Sequence, residues 1–272
     1  MRFKGFILEF MGPQGGRGKF IKKDEAIGII NSKCKKARDE YVKSGTCLYR
    51  GMKKSGDFYQ IDPTSSPRRS QYTDNYYTLI MDNDPRWSKF PKRSESLICS
   101  TSIYKAKIYG NNTMLVFPYD NANYGVCPED DIWQGFSNTM GHMRLGDANS
   151  ILKRLHSGME FKTDIDKVET YKELMVEIDR ISHRLDTIKT MKKEDEYYRV
   201  PFKIDDNEFV DKWQWEGTFK DWYLKLFNPT VNDFFATRDI KKVFSTGVKN
   251  KEIWTDSKAI MISDYIKKDF FK

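Results

Sequence analysis

Histidine and cysteine are scarce in this chain, three and four among 272 residues. Cys34, Cys47, Cys99 and Cys127 are scattered, with no CxxC spacing and no histidine close by. That arrangement matches neither a zinc site nor a disulfide framework. The sequence also lacks any run of about eighteen apolar residues, the length that would span a bilayer as a helix. Its first ten residues, MRFKGFILEF, have too short an apolar part, too quickly followed by glycine and charge, for a secretion signal. The expectation is a cytoplasmic protein with no membrane partner and no metal.

What is present bounds the class. The hydrophobic fraction is low at 39 %, but 14 % of the residues are aromatic, enough for an aromatic-rich core rather than a disordered chain. The length suits one large domain or two modest ones. A net charge of +8 favours an acidic partner: nucleic acid, a phosphate-bearing cofactor or an acidic protein surface.

Near the start, the apolar Phe6 to Phe10 runs into the glycine-rich Met11 to Phe20. This is no phosphate-binding loop, because Pro13 and Phe20 occupy positions where that motif needs a glycine and a magnesium-binding hydroxyl. It reads as a flexible loop. From Asp24 the apolar residues Ala26, Ile27, Ile30, Cys34, Ala37 and Tyr41 recur at helical spacing among lysines, which predicts one amphipathic helix closed at Ser44-Gly45. A short strand follows, Thr46 to Met52, with Arg50 at its end and Gly51 directly after. An arginine buried there needs an anion, and the glycine permits close approach of a ligand to the backbone; the other reading is an ordinary solvent-facing arginine. Pro67 to Arg93 mixes prolines, tyrosines and basic residues. It reads as a long loop with one short helix near Tyr76 to Met81, its basic and aromatic side chains suited either to clamping a nucleotide or to packing on each other.

The central stretch is Ser96 to Gly110, SLICSTSIYKAKIYG. Leu97-Ile98-Cys99 predicts a buried strand, and Ser100, Thr101 and Ser102 end it. Hydroxyls placed there can hold a ligand and orient a carboxylate at once, since each both donates and accepts; equally, Ser102 can serve only as the N-cap of a helix from Ile103. Met114 to Pro118 predicts another strand, and the acidic Glu129-Asp130-Asp131 reads as a helix N-terminus. Residues 145–196 carry a three-four apolar rhythm, predicting one long helix or a helical hairpin in which His156 and His183 are packing or surface residues. A second aromatic segment runs from Trp213 to Phe235. Finally Glu252 stands at the start of a strand, with Ala259 to Ile262 as the returning strand of a hairpin.

Three of these elements stand in a telling order: a helix leading to LYRG, a strand leading to STS, and a late turn leading to KEIW. That order resembles the NAD-dependent ADP-ribosyltransferases of the arginine, serine and glutamate triad class, in its toxin-like branch, and the texture is similar to bacteriophage-encoded members. The resemblance covers short pieces of Asp24 to Gly110 and Phe244 to Ile262. It implies an α+β fold with a split, curved, mixed β-sheet around an NAD cleft, a single domain over 1–272, and a helical, aromatic-rich insertion at 145–240.

The resemblance also implies roles. Arg50 would steady NAD, Ser100 with Thr101 and Ser102 would support the nicotinamide pocket, and Glu252 would be the catalytic glutamate. Tyr49, Gly51 and Tyr104 join the cofactor-binding set, with Arg69 and Arg93 as further candidates. The implied activity is a glycosyltransferase reaction: cleavage of NAD, as substrate, at the nicotinamide-ribose bond and transfer of ADP-ribose to a host protein or nucleic acid in the host cytoplasm. Two departures bear on this. Asn250 stands two before Glu252, where arginine-modifying members have Glu and several others Gln, and the length between the serine strand and Glu252 leaves Asp131 as an alternative carboxylate. The other readings are a nucleic-acid-binding or interaction protein on a degenerate transferase fold, and an NAD glycohydrolase.

Overall fold

The computed structural model describes residues 18–53, 56–66, 68, 75–141, 145–159, 161, 163–194, 217–245 and 250–266. The glycine-rich run before Gly18, Arg69, Tyr72, Trp213 and Trp215 lie outside them. The fold is α+β. Among the described residues nine strands form one sheet: β1 (Gly18–Phe20), β2 (Leu48–Met52), β3 (Phe58–Ile61), β4 (Leu97–Ser100), β5 (Asn112–Pro118), β6 (Tyr124–Val126), β7 (Phe235–Thr237), β8 (Glu252–Thr255) and β9 (Ala259–Ser263). Their order is β1-β3-β9-β5-β2-β4-β8-β6-β7.

Every pairing among the described residues is antiparallel, where the resemblance implied a mixed sheet. β2 runs beside β5 over five paired residues, but it meets β4 only where Tyr49 stands opposite Ser100. The sheet therefore has a seam at its middle. β8 and β9 do not form the expected hairpin: β8 pairs with β4 and β6, and β9 with β3 and β5. Both are buried at every residue, as suits interior strands with a neighbour on each side.

Side-chain alternation places β4 and β8 between two cores. Leu97, Cys99 and Ile253 join the core shared with α1 (Lys23–Lys33) and α2 (Lys35–Ser44). Ile98 and Trp254 face the opposite way, into an aromatic core with Tyr77, Trp87, Phe136, Phe219, Tyr223 and Phe227. Helices α3 (Tyr76–Asn83), α6 (Leu145–Gly158) and α7 (Tyr171–Glu194), and a further helix at Phe219–Leu226, supply that second core. Residues 145–240 thus contribute a helical hairpin and, at their end, the edge strand β7. Among the described residues no helix is long and apolar enough to cross a membrane.

The single helix expected from Asp24 is two, broken at Cys34, whose backbone leaves the helical region (φ −119, ψ 31). Ala26, Ile30, Cys34 and Ala37 are all buried, so one apolar stripe continues across the break and reads as one helix in sequence. Gly45 closes α2 in the left-handed conformation, its N–H donating to the Tyr41 carbonyl. Ser102 caps the next relevant helix, α4 (Ile103–Ile108), by accepting from the Lys105 N–H at 3.4 Å. Glu129 to Asp131 are not a helix start; they lie in a bend ahead of the turn that leads to α5 (Ser137–Met140).

Candidate active site at the seam of the sheet

The seam brings together residues far apart in the chain. Ser100 lies opposite Tyr49 of β2 on one side and opposite Glu252 of β8 on the other. Arg50, next to Tyr49, is buried and donates from Nη1 to the Ile98 carbonyl of β4, tying the two halves of the sheet where their ladder is thinnest. Arg50, Ser100 and Glu252 all line one narrow pocket, together with Tyr49, Gly51, Ile98, Cys99, Ala106, Tyr109 and Asp130. The free space inside is about 10 Å3, room for one water-sized group.

The three hydroxyl residues have separate tasks. Ser100 Oγ accepts from the Ser102 N–H at 3.0 Å, shaping the turn out of β4. Thr101 clasps the residue before the glutamate twice: its N–H donates to the Lys251 carbonyl at 3.0 Å, and its Oγ1 accepts from the Lys251 N–H at 2.9 Å. Ser102 starts α4, which places Ala106 and Tyr109 on the pocket wall. Thr101 and Ser102 thus shape the pocket without lining it. Tyr104 lies outside it, on the outer side of α4 and 78 % exposed.

Gly51 has a different reason from the one its position suggested. A Cβ there would stand 2.1 Å from the Ala106 carbonyl oxygen and 2.8 Å from the Gly110 nitrogen. What approaches this glycine is the backbone of α4 and the residues after it, so Gly51 lets that segment sit tightly against β2.

Glu252 is 3 % exposed. Its backbone is fixed by the Glu129 carbonyl and the Cys127 N–H, at 2.9 and 3.0 Å. Its carboxylate is fixed twice: Oε2 accepts from the Ile132 N–H at 3.3 Å, and Oε1 lies 2.6 Å from Arg93 Nη2. Arg93 is therefore not a cofactor-facing residue; it is buried behind the pocket and absent from its lining. Burial works against its charge, but Glu252 and Tyr77 outweigh burial and the net shift is upward.

Carboxylates crowd this corner. Asp131 stands close enough to Glu252 to feel its charge; burial first and Glu252 second push its carboxyl up to about 6. It accepts from the Trp133 N–H at 3.0 Å and does not line the pocket. Asp130 does line it, and pairs with Lys105 of α4 at 2.5 Å across the pocket mouth. Tyr109, half-buried beside Asp131, Glu252 and Asp130, has its phenol raised well above the usual range by desolvation first, and desolvation likewise lifts Tyr49 to about 12. Both phenols stay protonated donors at neutral pH.

Sequence reasoning missed Tyr109, Asp130 and the Arg93 pairing. Tyr109 had a usable signal, since it closes the short helix that Ser102 caps. The arrangement can hold an anionic or hydroxyl-bearing group through Arg50, Ser100 and the two phenols, and can set one fixed carboxylate against a developing cation. No protein-family model, curated protein or solved structure matches the chain.

Proposed function

We propose that the protein is a mono-ADP-ribosyltransferase that uses NAD as its substrate, with Arg50, Ser100 and Glu252 as its site. The observation that supports this reading is convergence. Three residue types separated by 50 and 152 positions in the chain meet on adjacent strands around one pocket, in the order β2, β4, β8. The chemistry needs those types. The C1′–N bond of NAD breaks with its electron pair going to the nicotinamide nitrogen, which leaves as neutral nicotinamide. The ribose is left with positive charge that a carboxylate stabilises. An acceptor oxygen or nitrogen then forms the new bond to C1′ and loses its proton.

In this chain Glu252 is the fixed carboxylate, the Ser100 hydroxyl stands next to it in register, and Arg50 supplies the cation beside the pocket. The free space takes one water-sized group, so binding a dinucleotide has to widen it. The wall best placed to give way is the Asp130 bend, held to α4 by the partly exposed Lys105 ion pair. The acceptor is a macromolecule, and the net charge of +8 favours an acidic one.

The test is incubation of the purified protein with adenylate-labelled NAD and a bacterial lysate, followed for nicotinamide release and for label on protein, RNA and DNA. Release with labelling is expected, and Ser100→Ala and Glu252→Gln should each lower it, Glu252→Gln by at least a hundredfold. A folded wild-type protein that neither releases nicotinamide nor transfers label overturns the reading. Release without any label would instead make water the acceptor.

A further inference from the structure

Arg93 is a cation enclosed in the protein interior, 2 % exposed, in a short turn immediately before β4. The sequence reads it as part of a long loop of basic and aromatic residues and as a candidate for cofactor contact, so its burial needs a cause. Three contacts hold it in place. Its own N–H donates to Asp82 Oδ1 at 2.5 Å, which fixes the turn. Its guanidinium carbon lies 5.5 Å from the Trp254 ring and 5.9 Å from the Tyr77 ring. Its Nη2 meets Glu252 Oε1 at 2.6 Å. Glu252 and Trp254 are two apart on β8 and so share a face, which is why one side chain reaches both.

This is a poor device for stability alone. A buried ion pair recovers its desolvation cost only when the remaining polar atoms are satisfied. Here Nε and Nη1 donate to no acceptor among the described residues, and Oε1 has no partner of hydrogen-bond geometry although the charge is adjacent. The pair does achieve orientation. Arg93 takes one carboxylate oxygen from behind, the Ile132 N–H takes the other, and the carboxylate is set on the pocket wall.

We propose that Arg93 is a positioning residue for Glu252, the buried group that holds this carboxylate aimed into the pocket. As a contribution to turnover it rests on the transferase reading; as a statement about Glu252 it does not. Without the guanidinium, Oε1 loses its anchor and only the Ile132 N–H still holds the carboxylate. Ground-state binding of substrate through Arg50 and Ser100 is untouched, so the effect falls on the chemical step.

The experiment compares wild type with Arg93→Met and Arg93→Lys in the kinetics of nicotinamide release. Arg93→Met is expected to lower kcat at least tenfold and to leave KM for NAD within about threefold. Arg93→Lys keeps a cation but loses the planar fork set against Trp254 and Tyr77, so it should recover only part of the loss. A folded Arg93→Met with wild-type kcat overturns the proposal. If Arg93→Met does not fold, Arg93→Gln carries the same comparison. If the wild type releases no nicotinamide, the transferase reading fails. Arg93 is then judged by the Glu252 carboxyl carbon resonance, assigned by its loss in Glu252→Gln. Broadening or displacement of that resonance in Arg93→Met supports the proposal, and an unchanged resonance overturns it.

Discussion

Two buried glutamates, each beside an arginine, are built differently in this protein. Glu177 of α7 has both oxygens occupied: Oε2 by His156 Nε2 at 3.1 Å and Thr163 Oγ1 at 3.0 Å, Oε1 by Arg180 Nη1 at 2.9 Å. Its arginine is about half exposed. Glu252 has a fully enclosed arginine with unused donors, one oxygen outside good hydrogen-bond geometry, a crowd of other carboxylates, and a pocket on its open side. The first cluster spends all its polar capacity on joining α6 to α7 around the turn at Thr163. The second holds capacity back. Incomplete satisfaction next to a cavity is where chemistry is expected, and complete satisfaction within a helix pair is scaffolding.

The largest effect should come from breaking the Glu252 pair on one side only. Glu252→Gln leaves the Arg93 charge buried without a counter-ion, at a cost of about 3–5 kcal/mol. The double variant Arg93→Met with Glu252→Gln removes both charges and should recover most of that stability while staying inactive. Urea unfolding of the two singles and the double checks this. A double variant as unstable as Glu252→Gln would show that the pair is not what couples these residues. Smaller is Glu177→Ala, expected to cost about 2 kcal/mol, because Arg180 can turn to solvent while His156 and Thr163 lose a buried partner. It should leave nicotinamide release per folded molecule unchanged. A loss of turnover there would erase the distinction between the two clusters.

The same contrast separates what was legible in the sequence from what was not. The strands carrying Arg50 and Ser100, the cap at Ser102 and the helical hairpin were visible because each is a local pattern of apolar spacing and polar ends. That Tyr49, Ser100 and Glu252 share one line of the sheet is a long-range fact that no local pattern in the sequence carries. The mistaken hairpin at β8 and β9 shows the limit. A three-residue turn, Asp256 to Lys258, suggested pairing, yet the strands are buried on both faces with no polar alternation, the pattern of interior strands taking other neighbours. Arg93 reads in the sequence as a candidate cofactor contact and its pairing with Glu252 does not show there, because only the fold brings Trp254, Tyr77 and Glu252 around it.

Asp131 gives an effect of the same size as Glu177 and the sharpest use of the contrast. Its carboxyl, ordinarily near 3.8, is raised to about 6 by burial and by Glu252. The folded chain therefore binds this proton more tightly than the unfolded chain does. Stability from this group is full below about pH 4 and falls as pH rises to about 6. A shift of that size corresponds to about 3 kcal/mol, reduced to about 2 by the partial exposure of Asp131. Asp131→Asn keeps the oxygen that accepts from the Trp133 N–H and removes the charge. It should gain about 2 kcal/mol at pH 7 and nothing at pH 4, measured by urea unfolding at both. Equal changes at the two pH values would mean that the Glu252 corner is not electrostatically crowded. The same variant decides between the carboxylates: retained nicotinamide release leaves Glu252 as the reacting group with Asp131 as its strained neighbour, and loss of release in a folded, stabilised protein moves the chemistry to Asp131.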